Sequence, residues 1–240
     1  MGKIFNGIVV EDDLFSEYHK FKNGNACDTR KIKQLLHFYK NEIVSNIRQY
    51  ENNGVALESN LKTQMSHAGL KKQSLEDLAE NCTLYKVILS TSKNTFPYIN
   101  IMEDNQRLES NFSASFDMAE SRTFALNHLT AICLHAKKIV VYDKFFSQKK
   151  SNINLLESIL PKKNVEITCN NEIEDADIDE LKRRCNMWTF TKDPHMKNRH
   201  DRYLIVDDRL EIILSSGFDH LGNTSSDFTY LLRPIQSSRF

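Results

Sequence analysis

Glycine is scarce in this chain, seven in 240 residues, and none stands in a G-x-G-x-x-G or P-loop spacing. That removes the Gly-rich turn with which many proteins cradle a nucleotide's phosphates. The five cysteines (Cys27, Cys82, Cys133, Cys169 and Cys185) are scattered without a C-x-x-C pair. An odd number at such spacings reads as reduced thiols rather than a disulfide framework. No His/Cys/Asp/Glu group has zinc-ligand spacing, so neither a metal nor a cofactor is expected. Net charge is lacking too: Lys+Arg and Asp+Glu are 32 each. No global field therefore draws the protein to nucleic acid or membrane, and such a contact must come from a local basic patch. No apolar run is long enough to span a bilayer, and Met1-Gly2-Lys3-Ile4-Phe5 lacks the apolar stretch of a signal peptide. Gly2 invites a lipidation reading that Asn6, in place of Ser or Thr, does not support. The expectation is a cytoplasmic protein.

What is present is ordinary globular material, 40% apolar and 27% charged, enough for one large domain or two small ones. Residues 4–10 read as a first strand closed by Glu11-Asp12-Asp13. Asp28 reads as the N-cap of a helix reaching about residue 49, with Ile32, Leu35, Leu36, Tyr39, Ile43 and Ile47 at helical spacing. Ser74-Leu75-Glu76-Asp77 has the spacing of a capping box. Residues 85–90 read as a buried strand, and the polar stretch 103–115 as a loop dividing the chain at about residue 115.

Beyond Phe116 the pattern is clearer. Helices are expected over 122–136, 152–160 and 177–185, and strands over 139–143, 165–169 and 187–190. This alternation describes βαβ units. A last pair of strands, 202–206 and 212–215, is joined by the acidic turn Asp207-Asp208-Arg209. His128 and His135 lie seven apart on one helix, too far for a shared ion, and read as packing or surface residues; Trp188 reads as core.

His200-Asp201-Arg202-Tyr203-Leu204-Ile205-Val206-Asp207 fits His-x-Lys-x-x-x-x-Asp with arginine at the lysine position. It is followed by Leu214-Ser215-Ser216-Gly217-Phe218-Asp219, close to a Gly-Ser-x-x-Asn/Asp element. Together these resemble the signature of the phospholipase D superfamily. The His-Asp-Arg form is similar to bacterial phospholipase-D-like proteins and to the C-terminal domain of MIT-domain proteins. The resemblance covers the C-terminal half. It implies an α/β (α+β) fold in which residues 116–240 form a phospholipase D-like mixed sheet flanked by helices. Residues 1–115 would be an N-terminal accessory α+β region.

The residue types suit such chemistry. An imidazole at position 200 would attack phosphorus. Its second nitrogen needs a carboxylate to fix the tautomer, which Asp207 or Asp219 would supply. Arg202 would neutralise phosphate oxygens from the same face, since side chains two apart on a strand share a side. Ser215 or Ser216 would hold a non-bridging oxygen. Lys197 and Arg199 would form a basic lip that steers substrate, whereas His195 reads as part of a solvated loop.

Family chemistry uses two histidines and this chain shows one such motif. The resemblance therefore implies a homodimer, or a partner protein from the same system, that completes the site. The expected function is a metal-independent phosphodiesterase or nuclease on nucleic acid, in bacterial (phage) defence or a toxin system. Arginine at the lysine position is not a conservative exchange. It leaves open the alternative of a silent module that binds nucleic acid or phosphorylated headgroups, or of a dimerising scaffold.

Overall fold

A computed structural model describes residues 4–38, 42–196 and 201–235. The chain divides into two compact units, Met1–Ser110 and Asn111–Phe240.

The first unit opens with β1 (Val9–Val10), followed by α1 (Asp12–Lys22), α2 (Thr29–Phe38), α3 (Ile47–Asn52), α4 (Ser59–His67) and α5 (Leu75–Cys82). It closes with β2 (Ile88–Ser90) and β3 (Tyr98–Asn100). The three strands form a parallel sheet in the order β1-β2-β3. Val9, Val44, Ile47, Leu78 and Ile88 are among its core residues. The capping box is present: Ser74 Oγ accepts from the Asp77 amide at 3.0 Å, and Asp77 Oδ2 accepts from the Ser74 amide at 3.3 Å. Asp28 also caps as expected, accepting from the Arg30 and Lys31 amides. The long helix expected from Asp28 to about residue 49 is instead interrupted. Ile43 forms a β-bridge with Ile8, and Asn46 starts a new helix by accepting the Gln49 amide. The helical spacing runs on past the helix, but Leu36 is exposed and Ile43 pairs with Ile8, so tertiary pairing overrides the periodicity.

The second unit carries a seven-stranded mixed sheet flanked by helices. In chain order it comprises β4 (Ser113–Phe116), α6 (Thr123–Cys133), β5 (Lys138–Tyr142), α7 (Ser151–Ile159), β6 (Val165–Asn170) and α8 (Asp175–Arg184). Then follow β7 (Trp188–Asp193), β8 (Arg202–Val206), β9 (Leu210–Leu214), the one-turn α9 (Asp219–Gly222) and β10 (Phe228–Pro234). The spatial order is β4-β10-β9-β8-β5-β6-β7. β5, β6 and β7 are parallel, as their intervening helices require, while β8, β9, β10 and β4 each run antiparallel to their neighbours.

β5 is buried along Ile139, Val140, Val141 and Tyr142, the continuous apolar run of a central strand covered on both faces. Trp188 is buried, as expected, with its Nε1 donating to the Pro161 carbonyl at 2.9 Å. β4 begins within the stretch read as a loop and runs one residue past it. Phe112, Ala114 and Phe116 do alternate with polar neighbours and are buried, but four residues with only Ala and Phe on the inner face are a short signal, and pairing with β10 is what defines the strand. α7 packs against α6, α8 and α9. At the α7–α9 contact a Cβ on Gly222 would stand 2.8 Å from Leu155 Cδ2, so a larger residue there would push the Leu155 tip aside.

The β8–β9 hairpin turns at Asp207 and Asp208, both at positive φ (51° and 54°). Acidic residues tolerate that region better than most. Asp207 Oδ1 accepts from the amides of Lys137 and Lys138 at 2.8 and 2.9 Å, tying the hairpin to the start of β5. Asp207→Ala should therefore cost about 1–2 kcal/mol through two lost amide partners and a strained turn. Urea unfolding would check this, and an unchanged midpoint would contradict it.

Candidate active site

Strand direction decides which residues meet. Tyr142 of β5 pairs with Tyr203 of β8, and Arg202 pairs with Leu214 of β9. The end of β5, the start of β8 and the end of β9 therefore converge. The residues just beyond them are Asp143, Arg202 and the turn from Ser215 into α9.

Asp143 is fully buried. Its Oδ1 accepts from the Phe145 amide at 2.8 Å and its Oδ2 from the Phe218 amide at 3.3 Å, while its own amide donates to Asn170 Oδ1 at 3.2 Å. Burial pushes its carboxyl above the ordinary value of 3.8; the two amides and Arg202 oppose that rise, and Asp219 adds to it. Arg202 Nε stands 3.8 Å from Asp143 Oδ1, an ion pair too long to be a hydrogen bond. The guanidinium carbon lies 5.2 Å from the Phe145 ring centroid, within cation–π range. Nε itself is buried and has no hydrogen-bond partner among the described residues.

On the third side, Gly217 is buried beneath Asp219. A Cβ there would meet Asp219 Oδ1 at 2.6 Å, so the carboxylate occupies space that a larger residue would fill. Asp219 Oδ2 is 3.8 Å from His220 Nε2. Arg122, also buried, fastens this corner by donating to the carbonyls of Asp117, His220 and Ser226 at 3.1, 3.3 and 2.6 Å. Between these groups lies a cavity of about 260 Å³, bordered also by Gln148 and Lys149. It is smaller than the roughly 300–1,000 Å³ of drug-sized pockets and has room for a small polar group.

Of the residues singled out from sequence, Arg202 and Asp219 come together here. His200, Lys197 and Arg199 lie outside the described residues. Asp207 does not join the cleft: it sits at the opposite end of β8, engaged with the Lys137 and Lys138 amides. Ser215 is exposed and hydrogen bonded to β10, its Oγ accepting from the Thr229 amide at 3.0 Å. Ser216 is half-buried next to Gly217. His128 is a packing residue, with Nδ1 2.6 Å from Tyr230 Oη.

His220 lies outside both motif elements, and on an extended strand it would face away from Asp219. Residues 219–222 are helical instead. Adjacent helical residues are about 100° apart, so Asp219 and His220 can border one cavity. Asp143 had one visible signal, its place at the carboxyl end of a central strand, where ligands of α/β proteins gather.

No protein-family model and no curated protein matches the chain. Several solved structures are similar to part of it. NucT from Helicobacter pylori is 12% identical over 50% of this chain and 84% of its own, with a TM-score of 0.31. Nuc from Salmonella typhimurium, described as a phospholipase D family member, is 14% identical over 50% of this chain and 82% of its own, at 0.29. TrmBL2, described as an archaeal chromatin protein with a novel mode of DNA binding, is 8% identical over 50% and 45%, at 0.27.

The raised carboxyl of Asp143 has a consequence for stability. The folded state keeps its proton to higher pH than the unfolded chain does, so the native state binds more protons in that interval. The stability contribution of this group is therefore greatest at low pH and declines as pH rises from about 3.8 through the raised value. The stability of wild type minus that of Asp143→Asn, measured by denaturant titration at several pH values, should fall across this window and then level off. A difference that grows with pH would show that the carboxylate is favoured in the fold.

Proposed function

We propose that the chain is a phospholipase D-like phosphodiesterase acting on nucleic acid. Arg202 holds the phosphate and His200, two residues before it, acts as nucleophile. Arg202 carries this reading. Its guanidinium borders a small cavity at the sheet's end, backed by a buried carboxylate and an aromatic ring, with an Nε–H that no described residue accepts. A buried donor without a partner costs free energy, and an anionic oxygen in the cavity would remove that cost.

The chemistry then has named parts. His200 attacks phosphorus and forms a phosphohistidine, Arg202 balances charge on the equatorial oxygens, and a second group protonates the leaving oxygen. A second copy of the chain in a C2 dimer is one source of that group. A bacterial defence role would follow from cleavage of foreign nucleic acid.

One observation favours the silent alternative. Asp143 and Asp219 face Arg202 and Lys149 across the cavity, so the described side chains there balance in formal charge. A module that only binds would hold a single phosphate group weakly and release it unchanged.

Incubation of the purified chain with single- and double-stranded DNA, RNA and bis(p-nitrophenyl) phosphate, with chelator present, separates the two. Wild type is expected to cleave at least one of them. His200→Ala should abolish turnover, and Arg202→Ala should lower it by about 100-fold or more, the usual effect of removing one preorganised charge stabiliser. Binding that Arg202→Ala weakens, without turnover at any protein concentration, would establish the binding module.

A further inference from the structure

We infer that His220, with Asp219 beside it, exchanges the proton with the leaving oxygen, so that a single chain carries both histidines. This rests on the phosphodiesterase reading and adds the identity and origin of the acid.

The observations concern how His220 is held. Its backbone is fixed on both sides, the amide donating to the Gly217 carbonyl at 3.1 Å and the carbonyl accepting from Arg122 Nε at 3.3 Å. Its ring is not. Neither nitrogen is hydrogen bonded to a described residue: Nδ1 is buried without a partner, and Nε2 lies 3.8 Å from Asp219 Oδ2. A histidine that serves packing normally bonds a ring nitrogen, as His128 does to Tyr230. The His220 side chain is 24% exposed, and the residue borders the same cavity as Arg202. Among the described residues lining that cavity it is the only histidine, the residue type suited to moving protons near neutral pH.

Asp219 stands where it balances the charge of a protonated ring without a hydrogen bond that would hold the proton. Gly217 makes that placement possible, since a Cβ there would displace the carboxylate. The spacing matters for catalysis: an acid must release its proton to the substrate, and a short bond to Asp219 would compete with that transfer.

The two half-reactions balance. In the first, the nucleophilic imidazole forms a P–N bond, the bond from phosphorus to the leaving oxygen breaks, and protonated His220 gives that oxygen its proton. The first product departs as an alcohol. In the second, neutral His220 takes a proton from water as the water oxygen bonds to phosphorus. The P–N bond breaks, returning the free nucleophile, the phosphomonoester and a protonated His220. No metal, redox partner or second chain enters either step.

The test exploits leaving-group chemistry. A DNA oligonucleotide expels an alkoxide that needs a proton, whereas bis(p-nitrophenyl) phosphate expels a stable phenolate that does not. His220→Asn should lose about 100-fold or more on the oligonucleotide but less than about 10-fold on the nitrophenyl ester, given the range for general-acid catalysis. His200→Asn should lose both activities. Asp219→Asn should show the same split with a smaller loss, and it carries the comparison if His220→Asn melts well below wild type. The wild-type rate per chain should not change on dilution. Equal losses on both substrates would reduce His220 to a structural role. Wild-type rates in His220→Asn, with activity per chain falling on dilution, would assign the acid to a second copy. Either result overturns this inference and leaves the phosphodiesterase reading standing, whereas a wild type that cleaves neither substrate ends both.

Discussion

A buried carboxylate governs the cleft end of this sheet. Asp143 leaves the central strand β5 at the point where the chain must turn, and it is held by amides from two separate segments, Phe145 on its own loop and Phe218 before α9. These bonds do two things at once. They supply the partners a buried carboxyl requires, and they join the β5 loop to the β9–α9 turn. Arg202 lies over the result at 3.8 Å. Its charge is braced but its hydrogen-bonding capacity is not consumed. Burial raises the carboxyl of Asp143 while Arg202 draws it down, so the pair is tuned by opposition rather than locked into a tight bidentate bridge.

Topology makes this meeting possible. In an all-parallel sheet the starts of strands lie at the opposite end from the residues that leave them. Here β8 is inserted antiparallel between β5 and β9, which brings its first residue, Arg202, to the end where β5 and β9 finish. The hairpin turn and Asp207 are consequently sent to the far end. The same inversion separates two carboxylates that the motif places seven and nineteen residues after His200, leaving Asp219 in the cleft and Asp207 in the frame. Arg122 completes the arrangement from α6 by holding three carbonyls around α9 and the approach to β10.

Much of the second unit was legible beforehand. The runs at 139–143 and 165–169, the helices between them, and Arg202–Val206 emerge within a few residues of their observed bounds. Each is defined by its own composition: β-branched runs, helical spacing and a terminating proline. The failures are equally local in cause. The alternation in β4 spans only a few residues inside a polar stretch, and the helix expected across Ile43 ignores a bridge to Ile8 from a distant segment. Of the site, Arg202 and Asp219 were found through their motif. His220 belongs to no motif, and only the helical turn of residues 219–222 brings it beside Asp219.

By itself the sequence determined the mixed α/β character, the order of elements from α6 to β9 and the presence of an imidazole–guanidinium motif, because these follow from short-range periodicity and spacing. The tertiary structure alone decided which carboxylates accompany the guanidinium. That choice depends on strand direction, on the one-turn helix that rotates His220 beside Asp219, and on Gly217 yielding its side-chain volume to a neighbour. Those are long-range packing constraints, and no window of adjacent residues encodes them.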